Sequence, residues 1–278
     1  MNEEKLRKKE LKRIAKEEKK SLKRQKKESH KAYKRLERNF IEEDKLERRQ
    51  SPLTERELEI RKANEAPKRS VLEEVGNSVS HGVGAILGIV ALVLMLIKSD
   101  TPIKVLASIV YGVSIILAML MSCLYHAWKH GLRVKRLWRR FDYSSIYLLI
   151  GGTFAPLQLV ELGQNEGHPY LGLIWFLVMW LLIVTGIVFV SIFGPGRTKV
   201  INFPLYFIIG WSGLMFLPGW WKNNRDLLWW TLGGGLVYSF GMIPFVLHKK
   251  SSHFIFHLFV VAGLVTQFIG IYLSVYMG

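Results

Sequence analysis

SVSHGVGAILGIVALVLMLIK, residues 78–98, decides the fold. From Val83 to Ile97 it carries no charged side chain. An α-helix rises 1.5 Å per residue, so about 20 apolar residues cross the ~30 Å hydrocarbon core of a bilayer. Six further apolar runs follow, at 104–128, 141–161, 170–194, 200–218, 228–247 and 254–277. The fifth is the weakest, bracketed by Pro204 and Pro218 and carrying Gly210 and Gly213. Helices this long and apolar all round have no place in a soluble domain. The expected fold is all-α, a seven-transmembrane helix bundle over residues 71–278.

Residues 1–70 are of another kind. The chain has 39 Lys and Arg against 22 acidic residues, and 25 of the 39 fall in its first 70 positions. Leu11, Ile14 and Leu22 are too sparse to bury a core, although Tyr33, Leu36 and Phe40 have helical spacing. The expectation is a basic cytosolic tail, partly helical or disordered, held near anionic lipid headgroups. No specific nucleic acid is expected as a partner, because Glu is interspersed throughout and no stacking aromatics accompany the charge. The single cysteine, Cys123, excludes a disulfide within the chain, and no cleavable signal peptide is visible.

Loop charge sets an expected orientation, since cytosolic loops are enriched in Lys and Arg. Loop 129–140 holds six basic residues, loop 195–199 holds Arg197 and Lys199, and loop 248–253 holds Lys249 and Lys250. The alternate loops hold only Lys98, Lys104, Lys222 and Arg225. With the N-terminus cytosolic and the C-terminus outside, 35 basic residues lie inside and 4 outside. Trp220, Trp221, Trp229 and Trp230 then flank an outer loop as an aromatic belt.

In that topology the polar residues within the apolar runs share one depth. Asn77 and His81 open the first segment, Ser122 and His126 close the second, Asp142 opens the third, and His253 and His257 open the seventh. His253 and His257 lie one helical turn apart on one face, so both imidazoles can reach one ion. His126 would complete a three-histidine set of the kind zinc takes, with a fourth position left for water in a catalytic site. Asp142 could accept a proton from that water, and Ser122 could hydrogen-bond the water or a substrate carbonyl. Taken singly, each residue has a plainer reading. His126 could be an interfacial histidine, Asp142 could pair with Arg139 or Arg140, and His253 could be ordinary loop. His168, with Glu161 and Glu166, reads as a solvated outer loop, and His130 and His248 read as loop residues.

The runs EEVGNSVSHGVGAILG (73–88), SCLYH (122–126), FDYSSI (141–146) and HFIFHLFVVAG (253–263) resemble the hemolysin III family. That family groups with the progestin and adipoQ receptors and, more distantly, with the alkaline ceramidases. The resemblance covers roughly residues 71–278. It implies a seven-helix bundle with a cytosolic N-terminus and zinc held by His126, His253 and His257, with Ser122 and Asp142 close by. In the receptor and ceramidase branches such a site is tied to hydrolysis of a lipid amide; for the bacterial branch a role in membrane lipid homeostasis has been proposed. Gln267 departs from similar sequences, which often have another histidine there.

Three functions are therefore expected in order. The first is a zinc-dependent hydrolase of a lipid amide or ester in a bacterial plasma membrane, with Asp142 as base and Ser122 as positioning group. The second is a non-enzymatic membrane sensor with structural zinc. The third is a pore, placed last because the outer halves of the segments carry almost no ionisable lining.

Overall fold

The computed structural model describes residues 3–50, 54–247 and 249–277. His248 and Gly278, expected in an inner loop and at the outer terminus, lie outside the described residues, as do positions 1–2 and 51–53 of the expected tail. Two compact units are formed, residues 1–54 and 55–278.

The first unit is one helix, α1 (Glu3–Gln50). At 1.5 Å per residue its 48 residues run for about 70 Å. Leu11, Ile14, Leu22 and Leu36 are half or more exposed along it.

The second unit opens with α2 (Glu55–Ala63). Asn64, just beyond it, is buried; its amide donates to the Phe193 carbonyl and accepts from Gly196 N. Residues 55–66 thus pack with the apolar domain. Then come α3 (Val71–Ile97), α4 (Pro102–Ala127), α5 (Arg133–Ala155), α6 (Pro169–Phe193), α7 (Pro195–Trp211), α8 (Leu217–Asn223), α9 (Arg225–Leu247) and α10 (Ser252–Ile271). Ser70 caps α3 and Thr101 caps α4, the latter followed by a proline at the first helical position. Pro156 lacks an N–H, and from there α5 continues to Asn165 as a wider π-helix. A short 3₁₀ stretch, Ser212–Phe216, joins α7 to α8. Counted with these continuations, seven helical spans among the described residues are long and apolar enough to cross a membrane. The chain is a multi-pass membrane protein.

Helix α3 packs on α4, α4 on α5, and α9 on α10, which returns to α3. At the α3–α4 crossing a Cβ on Gly88 would lie 2.6 Å from Ile115, and one on Gly112 2.6 Å from Leu92, so bare backbone sets the closeness of approach. The outward faces are apolar, as at Ile86, Ile174, Leu181 and Ile243. The interior holds buried polar residues, among them Asn77, Ser108, Ser122 and Asn202. That inversion suits a lipid surround.

Three details differ from expectation. Helix α5 begins at Arg133, so most of the basic stretch read as loop is helical and Asp142 lies more than two turns inside. Glu161 is buried at 2% exposure, its carboxylate accepting from Asn165 and Asn224 at 2.7 and 2.9 Å. It is no solvated loop residue, because amide donors replace its water. Glu166 lies just past that span, where burial and the nearby Glu161 raise its carboxyl above the ordinary range. Trp221 and Trp229 are exposed as a belt requires, but Trp220 is 2% exposed and turned inward.

Candidate metal centre

His126 stands in the last turn of α4 and His257 in the second turn of α10; both are 2% exposed. His253 lies one turn before His257. The ligand nitrogens of the three fall within 4.8 Å of one another. Their ring centroids form a tight triangle, 4.7 Å for His126–His257, 4.7 Å for His253–His257 and 5.3 Å for His126–His253.

The nitrogens meet as ligands would. The Nε2 atoms of His253 and His257 are 3.1 Å apart. Two nitrogens at ~2.0–2.1 Å from a tetrahedral ion stand ~3.3 Å apart, so this pair is already close to sharing one. Nδ1 of His126 lies 2.6 Å from Glu74 Oε2, and Asn77, fully buried, places its amide 3.4 Å from the same nitrogen. Donation to the carboxylate puts the proton on Nδ1 and leaves the Nε2 lone pair free. That Nε2 is buried without a hydrogen-bond partner. A buried acceptor facing two other imidazoles suits a cation of the transition-metal class. The residues present therefore fit a metal ion.

Behind His126 stands a relay that the sequence did not disclose. Glu74 Oε1 accepts from Lys135 Nζ at 2.7 Å, and the same ammonium donates to the Trp128 carbonyl at 2.8 Å. The Lys135 side chain is fully buried. Glu74 sits in a helix first turn, where an acidic residue needs no further explanation, and Lys135 sits in what read as a basic loop. The one signal was their setting, Glu74 three residues before Asn77 in the polar layer.

The other expected residues gather at the same end. The Ser122 hydroxyl is oriented toward the Asp142 carboxylate. Arg139 and Arg140, the alternative partners of Asp142, donate instead to the Glu65 and Ser191 carbonyls. His81, 4% exposed, stacks on His257 with ring centroids 3.8 Å apart, and neither of its nitrogens has a partner. Arg69, half-buried just before α3, places positive charge near the histidines and Asp142. His130 binds the Ala66 carbonyl and takes no part.

Ser122, Asp142, His81, His253 and His257 close one end of a cavity of about 230 Å³. Its walls are otherwise mostly apolar and come from α4, α5, α7, α9 and α10, reaching Leu157, Leu217 and Trp220.

The comparisons with known proteins agree with this architecture. A family model described as "Haemolysin-III related" matches residues 69–268. Hemolysin-3 of Bacillus cereus is 38% identical over 206 residues, which cover 71% of this chain and 90% of that protein. The Hemolysin-3 homolog of Bacillus subtilis (strain 168) is 31% identical over 204 residues, covering 72% and 92%. The adiponectin receptor protein of Drosophila melanogaster is 25% identical over 224 residues, covering 71% of this chain and 50% of its own length. With 200 of its 278 residues matched by the family model and two relatives above 30% identity, the chain belongs to the haemolysin III-related family.

Proposed function

We propose that the protein is a zinc-dependent hydrolase of a lipid amide or ester, acting within the cell membrane. The observation that carries this reading is a cluster of three imidazoles, two of which, His253 and His257, line one end of a largely apolar cavity together with a serine and a carboxylate. His126, His253 and His257 would hold the ion, with Glu74 fixing the tautomer of His126. Zinc held there supplies a Lewis acid that polarises a carbonyl and lowers the pKa of a water toward ~7.

The chain's own groups do the rest. Asp142 accepts the proton of the water that attacks the acyl carbon and returns it to the amine or alcohol that leaves as the acyl C–N or C–O bond breaks. Ser122 hydrogen-bonds that water or the carbonyl. His81, which lines the cavity and whose nitrogens have no partner, would serve the polar head of the lipid. Arg69 places positive charge where an acyl carboxylate is released. The apolar walls receive the chain.

Asp142→Asn tests this. With long-chain fluorogenic amide and ester probes in nanodiscs, the variant should keep its metal and lose at least about a hundredfold in rate, the usual worth of a positioned general base. Wild-type rates in the variant would remove Asp142 from the mechanism. A zinc-loaded wild type inert to both probe classes would favour the sensor reading with structural zinc.

The excess of Lys and Arg in the loops at the histidine end supports a cytosolic side for that end, and the basic charge of the tail supports attraction to anionic headgroups. A peptide of residues 1–54 is expected to bind anionic vesicles and to be released as salt rises, because surface charge is screened within ~10 Å at 0.1 M. Equal binding to neutral vesicles would sink the electrostatic tail. Activity of a C-terminal reporter only in the cytosol would reverse the orientation.

A further inference from the structure

The far part of the cavity contains two polar atoms that nothing in the hydrolytic site uses. Gln267 is ten residues after His257 on α10, so the two leave the helix about 15 Å apart along its axis. Gln267 is 7% exposed and lines the cavity. Its Nε2 donates to the Thr231 carbonyl at 2.9 Å, which commits the nitrogen and leaves Oε1 as the free end of the amide. That Oε1 is buried without a partner. Thr231 lines the cavity from α9, and its Oγ1 is likewise buried without a partner. The seat is built for the amide, since a Cβ on Gly234 would lie 2.7 Å from both Cγ and Nε2 of Gln267. Buried polar atoms in native proteins find partners, and both residues belong to the cavity wall.

The two atoms select what can bind. Gln267 Oε1 only accepts, whereas the Thr231 hydroxyl can donate. One oxygen that donates to the first and accepts from the second is a hydroxyl. A carbonyl would leave Oε1 unpaired, and an ammonium would bring an uncompensated charge into an apolar cavity. We propose that Gln267 and Thr231 form a hydroxyl-binding subsite for the chain of an acyl lipid, about 15 Å from His257 along α10. The subsite rests on the reading of the cavity as the seat of an acyl chain and favours lipids whose chain is hydroxylated near its middle.

The test uses the full-length protein in nanodiscs. Stearate and its monohydroxy isomers, with the hydroxyl near the carboxylate, at mid-chain or near the chain end, compete with radiolabelled stearate. The mid-chain isomer should bind roughly tenfold tighter than stearate, the worth of a hydrogen bond made in a dry site. Thr231→Val, which keeps the side-chain shape, and Gln267→Met should each erase that preference, with metal content as in the wild type showing that the fold is intact. His126→Ala, which alters only the metal end, should preserve it. Equal affinities for all the acids in the wild type mean that water satisfies the pair, and they overturn the subsite alone. A mid-chain preference that survives both substitutions also overturns it. Absence of binding by every acid overturns the subsite together with the acyl-chain reading.

Discussion

His126→Ala, His253→Ala and His257→Ala are each expected to bring the metal content of the purified protein from about one ion per chain to near background. A three-histidine site has no spare protein ligand among these residues, so loss of one leaves water or a poorer donor. Folding should survive in the His126 variant. Its imidazole leaves, but Glu74 still faces Lys135 at 2.7 Å and no buried charge is stranded. Ser122→Ala should retain its metal, because a hydroxyl is not a usual zinc ligand. Elemental analysis of the four variants against the wild type decides the matter. Full occupancy after both His253→Ala and His257→Ala would put the ion elsewhere, and the hydrolase reading would lose its base.

Glu74→Gln should cost both stability and metal. The Lys135 ammonium is fully buried, and without the carboxylate it loses its anionic partner, keeping the Trp128 carbonyl at 2.8 Å and the Tyr125 ring at 5.0 Å as neutral contacts. Breaking such a pair from one side costs about 3–5 kcal/mol, because a charge is left in a poor dielectric. His126 also loses the acceptor that fixes its tautomer, which should weaken metal binding about 10–100-fold. The two effects separate in the double variant Glu74→Gln/Lys135→Met. Removing the stranded charge should restore much of the stability, measured by unfolding in detergent, while the metal affinity stays low. Recovery of both together would mean that Glu74 acts on the metal only through the fold.

Legibility followed range along the chain. His253 and His257 could be paired from sequence because four residues make one helical turn. His126, Asp142 and Ser122 could be set at the same depth by counting along apolar runs whose ends were marked by charge. The Glu74–Lys135 bridge joins residues 61 apart on different helices, and no period links them. Lys135 also carried a misleading signal, since a basic residue among five others reads as a solvated loop until the fold shows its side chain buried. Glu161 misled in the same way, its solvation supplied by Asn165 and Asn224 rather than by water.

By itself the sequence determined the all-α class, the seven spans and the level at which polar residues interrupt them. These follow from hydrophobicity summed over about 20 residues and from a fixed rise per residue, both local properties. Only the tertiary structure decided which helices neighbour which. That choice turns one layer of polar residues into a closed triangle of imidazoles, stacks His81 on His257, and leaves Gln267 and Thr231 together on the cavity wall. The physical reason is that helix contacts in a membrane are set by close packing at small residues such as Gly88, Gly112 and Gly234. Which helix each one meets depends on all the others at once.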